Sequence, residues 1–406
     1  MKVLGIETSC DENSVAVVED GQKLLSNVIF SQVDLHRVYG GVVPEVAARS
    51  HIEVMTPTID EALTQAGARW AEIDAIAVAH GPGLGGSLLI GTLAARTLAV
   101  IKDKPLYGVH HALGHIYANF IDWTSPNETW TEPQFPLLAL VVSGGHSHLV
   151  LMQSHSDYRL LGQTQDDAVG EAFDKVAKVL GLEYPGGPSI EAAAKHGNPY
   201  AFDFPKAKRR AQRLDGVREK IEQRKEPSRA DGNRAAQVLT TQSAKSAGGA
   251  SGSATRQDSA ALGLGPYDYS FSGLKTAVLR TVQDIAGVDY DFPSFKLKDK
   301  LTGAQVKDVA ASFQRVAAAT LVDTLLLAYE EFQPKSVVIA GGVAANQELR
   351  SQLKHRLPID INYAPISLCT DNGAMIAALG YFAAQNRQAD NPLTLEIQPS
   401  LSLSNR

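Results

Sequence analysis

The sequence is poor in cysteine and carries no excess of positive charge. Its 406 residues include only two cysteines, Cys10 and Cys369. Two cysteines cannot build the disulfide framework of a secreted domain, so we expect a reducing compartment. The formal net charge is −6. This excludes a generally basic nucleic-acid binder, although not a local basic arm.

Long apolar runs are also scarce. The first twelve residues acquire acids before an apolar core of signal-peptide length builds up, so we expect no secretion signal. The longest apolar region, 73–101, is interrupted by His80, Pro82, five Gly and Arg96, and we expect it not to span a membrane. The apolar content of 44% is nevertheless ample for two or three domains with sizeable cores. Together these features predict a globular, cytoplasmic protein.

Two stretches of the chain share one plan. Apolar runs at 3–6 and 14–18 flank a polar turn, and within 137–152 two apolar runs flank the turn Ser143-Gly-Gly-His146. Each stretch is typical of a β-hairpin. Their repetition predicts a duplicated α/β architecture with a cleft between the halves.

A pair of histidines, His111 and His115, is the most informative local motif. Both lie in a stretch, 107–119, that contains no Pro. If this stretch is helical, the spacing of four places both imidazoles on one face, where they can bind one metal ion. The alternative is a solvated helix face that carries two histidines and binds nothing.

Glycine-rich turns follow two predicted strands, 73–79 and 335–340, and precede predicted helices. Backbone N–H groups and the helix dipole make such turns suitable for an anion. The first turn, 81–87, matches no nucleotide-binding fingerprint, and tight packing of helix on strand explains its glycines equally well.

Further helices are predicted at 45–66, 166–181 and 303–333 from their apolar spacing. In the second, Glu171, Asp174 and Lys178 share one face, a pattern that is usually a solvated charged stripe. Asp371 stands at the start of a last helix, where an N-cap is its simplest role.

Residues 206–265 break the pattern. Their first half, 206–234, holds eleven Lys/Arg against five Asp/Glu, and a low-complexity Ser/Ala/Gly stretch follows at 243–254. We interpret the segment as an inserted, largely disordered basic loop. It is either a neutral surface insertion or a source of phosphate contacts to a nucleic acid.

Taken together, eight motifs resemble those of one family. They are Gly5-Ile-Glu-Thr-Ser-Cys-Asp-Glu12, His111-x-x-x-His115, Val142-Ser-Gly-Gly-His146, Gly170-Glu-Ala-Phe-Asp-Lys175, Tyr184-Pro-Gly-Gly187, Phe271-Ser-Gly-Leu-Lys275, Gly341-Gly-Val-Ala-Ala-Asn346 and Thr370-Asp-Asn-Gly-Ala-Met375. The family is TsaD, also called YgjD or Gcp, which installs threonylcarbamoyl on adenosine 37 of tRNA. The resemblance runs from residue 1 to about 384, apart from the insert.

This resemblance implies the two-lobed α/β fold of actin, Hsp70 chaperones and sugar kinases, with a ribonuclease-H-like unit in each lobe. Lobe I would comprise 1–128 and be completed by about 367–400. Lobe II would comprise 135–205 and 266–366, with 206–265 inserted.

The resemblance also implies the site. His111, His115 and Asp371 would bind one divalent metal, Fe(2+) in the first place and zinc as the alternative. The implied substrate-binding residues are Val142, Ser143, Gly144, Gly145, His146, Asp174, Gly187, Glu191 and Asn346. Asp11 and Glu12 are candidates for handling the proton of the attacking amine.

The implied reaction is acyl transfer from threonylcarbamoyl-adenylate to N6 of adenosine in tRNAs that read codons beginning with A, with release of AMP. Positioning and charge stabilisation would suffice for an activated anhydride, without a covalent nucleophile. The implied partners are tRNA, an inactive TsaB-like paralogue on the first lobe, a small TsaE-like P-loop ATPase, and an enzyme that makes the adenylate.

Three other functions compete with this reading. A zinc peptidase of the His-Glu-x-x-His type needs a Glu beside its first ligand, whereas Ala112 and Leu113 fill the gap here. A kinase or ATPase of the same fold would transfer phosphate without tRNA. A non-catalytic scaffold would keep its function when His111 is replaced by Ala.

Overall fold

The structure is a computed structural model that describes residues 1–123, 130–206 and 265–403. The predicted basic insert, 206–265, lies almost wholly outside these ranges. Within them, two mixed β-sheets are flanked by helices, which confirms the α/β class.

The first sheet belongs to the N-terminal part of the chain. Its strands are β1 (Lys2–Glu7), β2 (Glu12–Glu19), β3 (Lys23–Ser31), β4 (Ala75–Gly81) and β5 (Leu106–His110), in the order β3-β2-β1-β4-β5. The first three strands form an antiparallel meander, whereas β4 and β5 continue the sheet in parallel with β1.

The second sheet repeats this plan. Its strands are β6 (Leu137–Val142), β7 (Ser147–Met152), β8 (Tyr158–Gln163), β9 (Ser336–Ala340) and β10 (Ile361–Tyr363), in the order β10-β9-β6-β7-β8. Three antiparallel strands are again extended by two parallel ones. This is the ribonuclease-H-like plan twice over, and it confirms the two-lobed fold shared by actin and sugar kinases. The predicted lobe boundaries stay a prediction.

The α-helices connect and cover these sheets. They are α1 (Val33–Arg37), α2 (Pro44–Gln65), α3 (Gly85–Lys102), α4 (His111–Tyr117), α5 (Val169–Leu180), α6 (Gly186–Ala194), α7 (Ser272–Ala286), α8 (Gly303–Phe332), α9 (Gln347–Arg356), α10 (Ile366–Cys369) and α11 (Gly373–Asn386). Gly181 ends α5 in the left-handed conformation at φ 70°, which glycine adopts readily at the end of a helix.

Helix α11 lies directly on the first sheet because glycines remove the side chains between them. A Cβ on Gly5 of β1 would meet the carbonyl oxygen of Gly373 at 2.3 Å, and one on Gly380 would meet the Cβ of Ala77 at 2.3 Å. This close packing fixes the start of α11, and therefore the preceding loop that carries Asp371, against the first lobe.

The sequence predicted both hairpins and the helices now numbered α2, α5 and α8, within a few residues. It missed β3, β5 and β8. Strand β3 is largely exposed, and its Leu24, Ile29 and Phe30 face solvent, so it has no clear alternation of buried and exposed residues.

Two helices in the described ranges, α3 and α8, are long and apolar enough to cross a membrane by length and composition. An 18-residue window in each helix has a mean hydropathy of 1.2. Of the window in α8, 83% is buried, whereas only 33% of the window in α3 is buried. Helix α8 is thus a core helix of the second lobe. Helix α3 meets a criterion that we expected its region to fail, because His80 and Pro82 precede the helix and do not interrupt it.

Candidate metal and acyl-transfer site

The two histidines lie at the point where a buried strand becomes a helix. Strand β5 ends at His110, whose Nδ1 accepts a hydrogen bond from the backbone N–H of Ala112 and so caps α4. His111 and His115 project from one face of α4, with ring centroids 4.8 Å apart. Both are buried, at 3% and 1% exposure, which rules out the solvated helix face.

Asp371 completes a cluster with these two rings. Its Oδ1 lies 3.3 Å from Nε2 of His115 and 3.8 Å from Nε2 of His111. One ligand atom from each residue lies within 4.8 Å of the other two. The N-cap role that we considered for Asp371 is wrong, because the neighbouring Asn372 caps α11 by accepting a hydrogen bond from the N–H of Met375 at 3.0 Å.

Glu7 supports this cluster from the end of β1. Its Oε2 accepts a hydrogen bond of 2.9 Å from Nδ1 of His111, and the hydroxyl of Ser9 lies 3.0 Å from the same nitrogen. Burial opposes charge on both partners, but their mutual attraction outweighs it and lowers the pKa of Glu7 while raising the pKa of His111 to about 9. The sequence motif contained Glu7 without giving it a role. The sequence signal for Glu7 was a carboxylate at the last position of an otherwise apolar strand.

These residues fit a divalent metal ion. Two imidazoles and one carboxylate form a donor set typical of zinc and iron sites, and a carboxylate behind one histidine is the usual second contact. Neither ring nitrogen of His115 has a hydrogen-bond partner among the described residues. Burial and the charge of His111 keep the pKa of His115 well below its usual value, so its ring is neutral, as a ligand must be. His111, whose pKa is raised to about 9, would have to release its Nε2 proton when a cation binds.

The turn between β6 and β7 brings the second lobe to this cluster. The N–H of Ser143 donates to the carbonyl of His146 at 2.9 Å, and the His146 ring lies 5.6 Å from that of His111. Gly144 and Gly145 are exposed, and a Cβ on either would meet nothing within 4 Å. Open space therefore borders the backbone of this turn at both glycines.

Two further motif glycines support the same turn from behind. A Cβ on Gly170 would lie 2.6 Å from the carbonyl oxygen of Ser143, and one on Gly341 would lie 2.4 Å from that of Val142. Gly341 also has φ 91°, which side chains rarely adopt. The Gly341-Gly342 turn therefore allows close packing beneath the Val142–His146 segment.

The remaining predicted substrate residues form a separate group on the second lobe. Asp174 Oδ1 accepts from the N–H of Gly186 at 2.7 Å, and Gly187 borders open space. Glu191 Oε1 accepts from the N–H of Gln347 at 3.2 Å. Burial raises the pKa of Asp174, so this residue departs from the solvated charged stripe that we considered.

Asn346 joins this group with its side chain already engaged. Its Oδ1 caps α9 by accepting from the N–H of Leu349 at 3.0 Å, and its Nδ2 donates to Gln314 Oε1 at 3.0 Å. Each end of the amide keeps one further hydrogen-bonding position. Among the described residues, no hydrogen bond links Asp174, Glu191 or Asn346 to the three-residue cluster, although the charge of Asp11 contributes to the raised pKa of Asp174.

Asp11 lies in the turn between β1 and β2, and Glu12 is the first residue of β2. Asp11 is 8% exposed, and Glu12 Oε1 accepts from the hydroxyl of Ser31 at 3.4 Å. Burial and the charges of Asp11 and Asp371 raise the pKa of Glu12 to about 9. Glu12 therefore keeps its proton at neutral pH.

Comparisons with known proteins agree with these motifs. The family model described as TsaD, tRNA N6-adenosine threonylcarbamoyltransferase, matches residues 23–225 and 232–378. A relative of that name from Thermomicrobium roseum is 43% identical over 414 residues, covering 100% of this chain and 98% of its own. Another from Symbiobacterium thermophilum is 44% identical over 383 residues, with 94% and 91% covered. Among solved structures, component A of the Acidaminococcus fermentans (R)-2-hydroxyglutaryl-CoA dehydratase covers 95% of this chain and 100% of its own, at 14% identity and a TM-score of 0.45.

Proposed function

Because this chain belongs to the tRNA N6-adenosine threonylcarbamoyltransferase family, we propose that it transfers threonylcarbamoyl from threonylcarbamoyl-adenylate to N6 of adenosine 37 in tRNA. The tRNAs are those that read codons beginning with A, and AMP is released. One observation carries the proposal: His111, His115 and Asp371 converge beside His146 of the other lobe. The ring centroids of His111 and His146 are 5.6 Å apart.

His111, His115 and Asp371 hold one divalent cation, iron(II) or alternatively zinc. When bound, this ion supplies Lewis-acid chemistry and a template for the substrate's oxygens. Glu7 orients His111 through the 2.9 Å hydrogen bond to Nδ1, so that Nε2 points toward Asp371. The buried, neutral ring of His115 contributes the second nitrogen ligand.

The turn Ser143-Gly-Gly-His146 binds the phosphate of the adenylate. Its two exposed glycines carry no side chain, and a Cβ on either would meet nothing within 4 Å, which leaves an anion room to approach the turn. Negative charge that develops as AMP leaves is stabilised by donors that are already in place. Val142 holds the turn at the end of β6.

Asp174, Gly187, Glu191 and Asn346 bind the nucleoside portion of the adenylate. Gly187 leaves room at the start of α6, and each carboxylate keeps an oxygen besides the one that accepts a backbone N–H. The remaining positions on the Asn346 amide can bond a ribose hydroxyl or an adenine edge.

Asp11 and Glu12 handle the proton of the attacking amine. The amine of adenine loses one proton as its nitrogen forms the bond to the carbamoyl carbon. Burial and neighbouring charges raise the pKa of Glu12 to about 9 and keep it protonated, so Asp11 is the group assigned to accept this proton. Their turn faces Asp371, whose charge contributes to the raised pKa of Glu12.

The protein works with tRNA, a TsaB-like paralogue, a TsaE-like ATPase and a source of the adenylate, in the cytoplasm and off the membrane. Exposed apolar side chains on α2 and α3, Ile52, Leu89 and Leu93, support a protein partner on the first lobe. A reducing compartment agrees with the two free cysteines.

The decisive experiment incubates the purified protein and these partners with threonylcarbamoyl-adenylate and unmodified tRNA. Mass spectrometry of the digested tRNA should detect modified adenosine with the wild-type chain and not with Asp371→Asn. Phosphoryl transfer without any need for tRNA would favour the kinase or ATPase reading. Absence of product from the wild-type chain, where a known relative is active, would refute the proposal.

A further inference from the structure

Three polar residues are wholly buried beside the first hairpin and take no part in the site described above. Gln32 follows β3, His36 lies in α1 and His51 lies in α2, and each is 0% exposed. Buried polar side chains are costly unless their hydrogen bonds are satisfied. Their shared bonds therefore need an explanation.

The three side chains form one continuous chain of hydrogen bonds. The N–H of Val43 lies 3.3 Å from Nδ1 of His36, and Nε2 of His36 lies 3.3 Å from Oε1 of Gln32. Nε2 of Gln32 lies 3.4 Å from Nδ1 of His51, and Nε2 of His51 lies 3.0 Å from the carbonyl oxygen of Cys10.

The two ends of this chain of hydrogen bonds require the same donor-to-acceptor direction. The N–H of Val43 can only donate, so Nδ1 of His36 accepts and the proton of this ring is on Nε2. The carbonyl of Cys10 can only accept, so Nε2 of His51 donates and its Nδ1 accepts from Gln32. The two requirements independently give the Gln32 amide one orientation and both histidines one neutral tautomer.

The chain ends on the turn that carries Asp11 and Glu12. Cys10 precedes these residues, and the backbone N–H of Gln32 donates to the carbonyl of Asp11 at 3.1 Å. The other end starts beside an exposed segment, where Val38 and Tyr39 are 79% and 61% exposed. Two successive carbonyls of the turn are thus held by Gln32 and His51.

We propose that Gln32, His36 and His51 are positioning residues for the transfer reaction, because their one-directional chain of hydrogen bonds sets the conformation of the Cys10–Glu12 turn. The inference rests on the proposed function, in which Asp11 and Glu12 handle the amine proton. None of the three residues touches substrate. They act by fixing where the two carboxyl groups stand.

Two substitutions of His51 distinguish the loss of its hydrogen bond to Cys10 from the loss of the imidazole ring itself. His51→Gln keeps a donor where Nε2 stood, whereas His51→Asn keeps only the acceptor where Nδ1 stood. We expect His51→Asn to lower kcat for tRNA modification about tenfold, the size of one lost buried hydrogen bond, with KM for tRNA changed less than about twofold. His51→Gln should stay within about threefold of wild type. Equal losses in both variants, or no loss in either, would overturn the proposal.

Two further measurements do not depend on activity. Nitrogen-15 NMR of labelled histidines should find His36 and His51 neutral and protonated at Nε2, and protonation of either at Nδ1 would overturn the chain. The alkylation rate of Cys10 should rise about tenfold in His51→Asn but not in His51→Gln, since only the former releases the Cys10 carbonyl. The buried Cys369 is the internal control.

These readouts distinguish the two proposals. A wild-type chain that makes no modified tRNA would count against the proposed function, while the tautomers and the Cys10 rate would still report on the turn. An unchanged Cys10 rate in His51→Asn would refute the positioning role even in an active enzyme.

Discussion

His111 donates a hydrogen bond of 2.9 Å from Nδ1 to Oε2 of Glu7, and this contact turns its other ring nitrogen toward Asp371. The partners lie 104 residues apart, and both are buried. A carboxylate behind a histidine fixes its tautomer and strengthens it as a ligand. Glu7 therefore links the first strand of the sheet to the metal-binding capacity of the cluster.

Replacing Glu7 by Gln should weaken binding of a divalent cation about 10- to 100-fold, because the neutral amide no longer supports His111. Isothermal titration of the metal-free protein with Zn²⁺ measures the change. Glu53→Gln, at an exposed position on α2, is the matched control and should bind as wild type does. Unchanged affinity in Glu7→Gln would mean that Glu7 only fills space beneath the histidine.

Gly341→Ala should displace the Val142–His146 turn. The new methyl group would lie 2.4 Å from the carbonyl oxygen of Val142, and φ 91° is strained for Ala. We expect a loss of about 1–3 kcal/mol in the free energy of unfolding, measured by urea denaturation, and a clear loss of tRNA modification. Gly303→Ala, with no atom within 4 Å of its Cβ, should be neutral in both assays. Equal behaviour of the two variants would contradict this account of the turn.

Local patterns predicted two members of the His111, His115 and Asp371 cluster and not the third. The spacing of His111 and His115 is sufficient to place both rings on one helix face. The approach of Asp371 depends on how α11 packs on β1 through Gly5 and Gly373, which no local pattern reveals. Only the resemblance to a family connected Asp371 with the histidines.

Helix caps and edge strands were the other features that the sequence alone did not predict correctly. Asp371 and Asn372 are adjacent and have nearly equal N-cap preference, so the sequence could not tell which of them caps α11. Strand β3 is an exposed edge strand, whose pairing with β2 comes from the meander rather than from apolar alternation.

Asp371→Asn should abolish tight binding of a divalent cation while leaving the fold intact. The amide keeps the shape of the carboxylate but removes the charge that lies 3.3 Å from His115 and 3.8 Å from His111. We expect at least about a hundredfold weaker affinity by titration with Zn²⁺ and no detectable product in the tRNA assay. Asp360→Asn, exposed before β10, is the control. A variant that still binds metal tightly would remove Asp371 from the ligand set.

Asp323 provides a test of pH dependence away from the site. Its carboxylate pairs with Lys206 at 2.8 Å and Arg356 at 2.5 Å. Burial alone would raise the pKa of Asp323, but the hydrogen bonds and charges of these two cations outweigh it and lower the pKa. A lowered folded-state pKa contributes stability above the unfolded value of about 3.9, and that stability is lost as the pH falls through the folded value.

Asp323→Asn should therefore cost about 1 kcal/mol in the free energy of unfolding at pH 7, a size limited by the partial exposure of the three side chains. The difference from wild type should stay constant from pH 7 to about 5 and shrink below about 4, where the wild-type carboxylate becomes protonated. Urea denaturation across this range measures it, and 1 M NaCl should reduce it at pH 7 because salt screens the partly exposed charges. A difference that grows on acidification would mean that Asp323 is held in its neutral form, contrary to its contacts with Lys206 and Arg356.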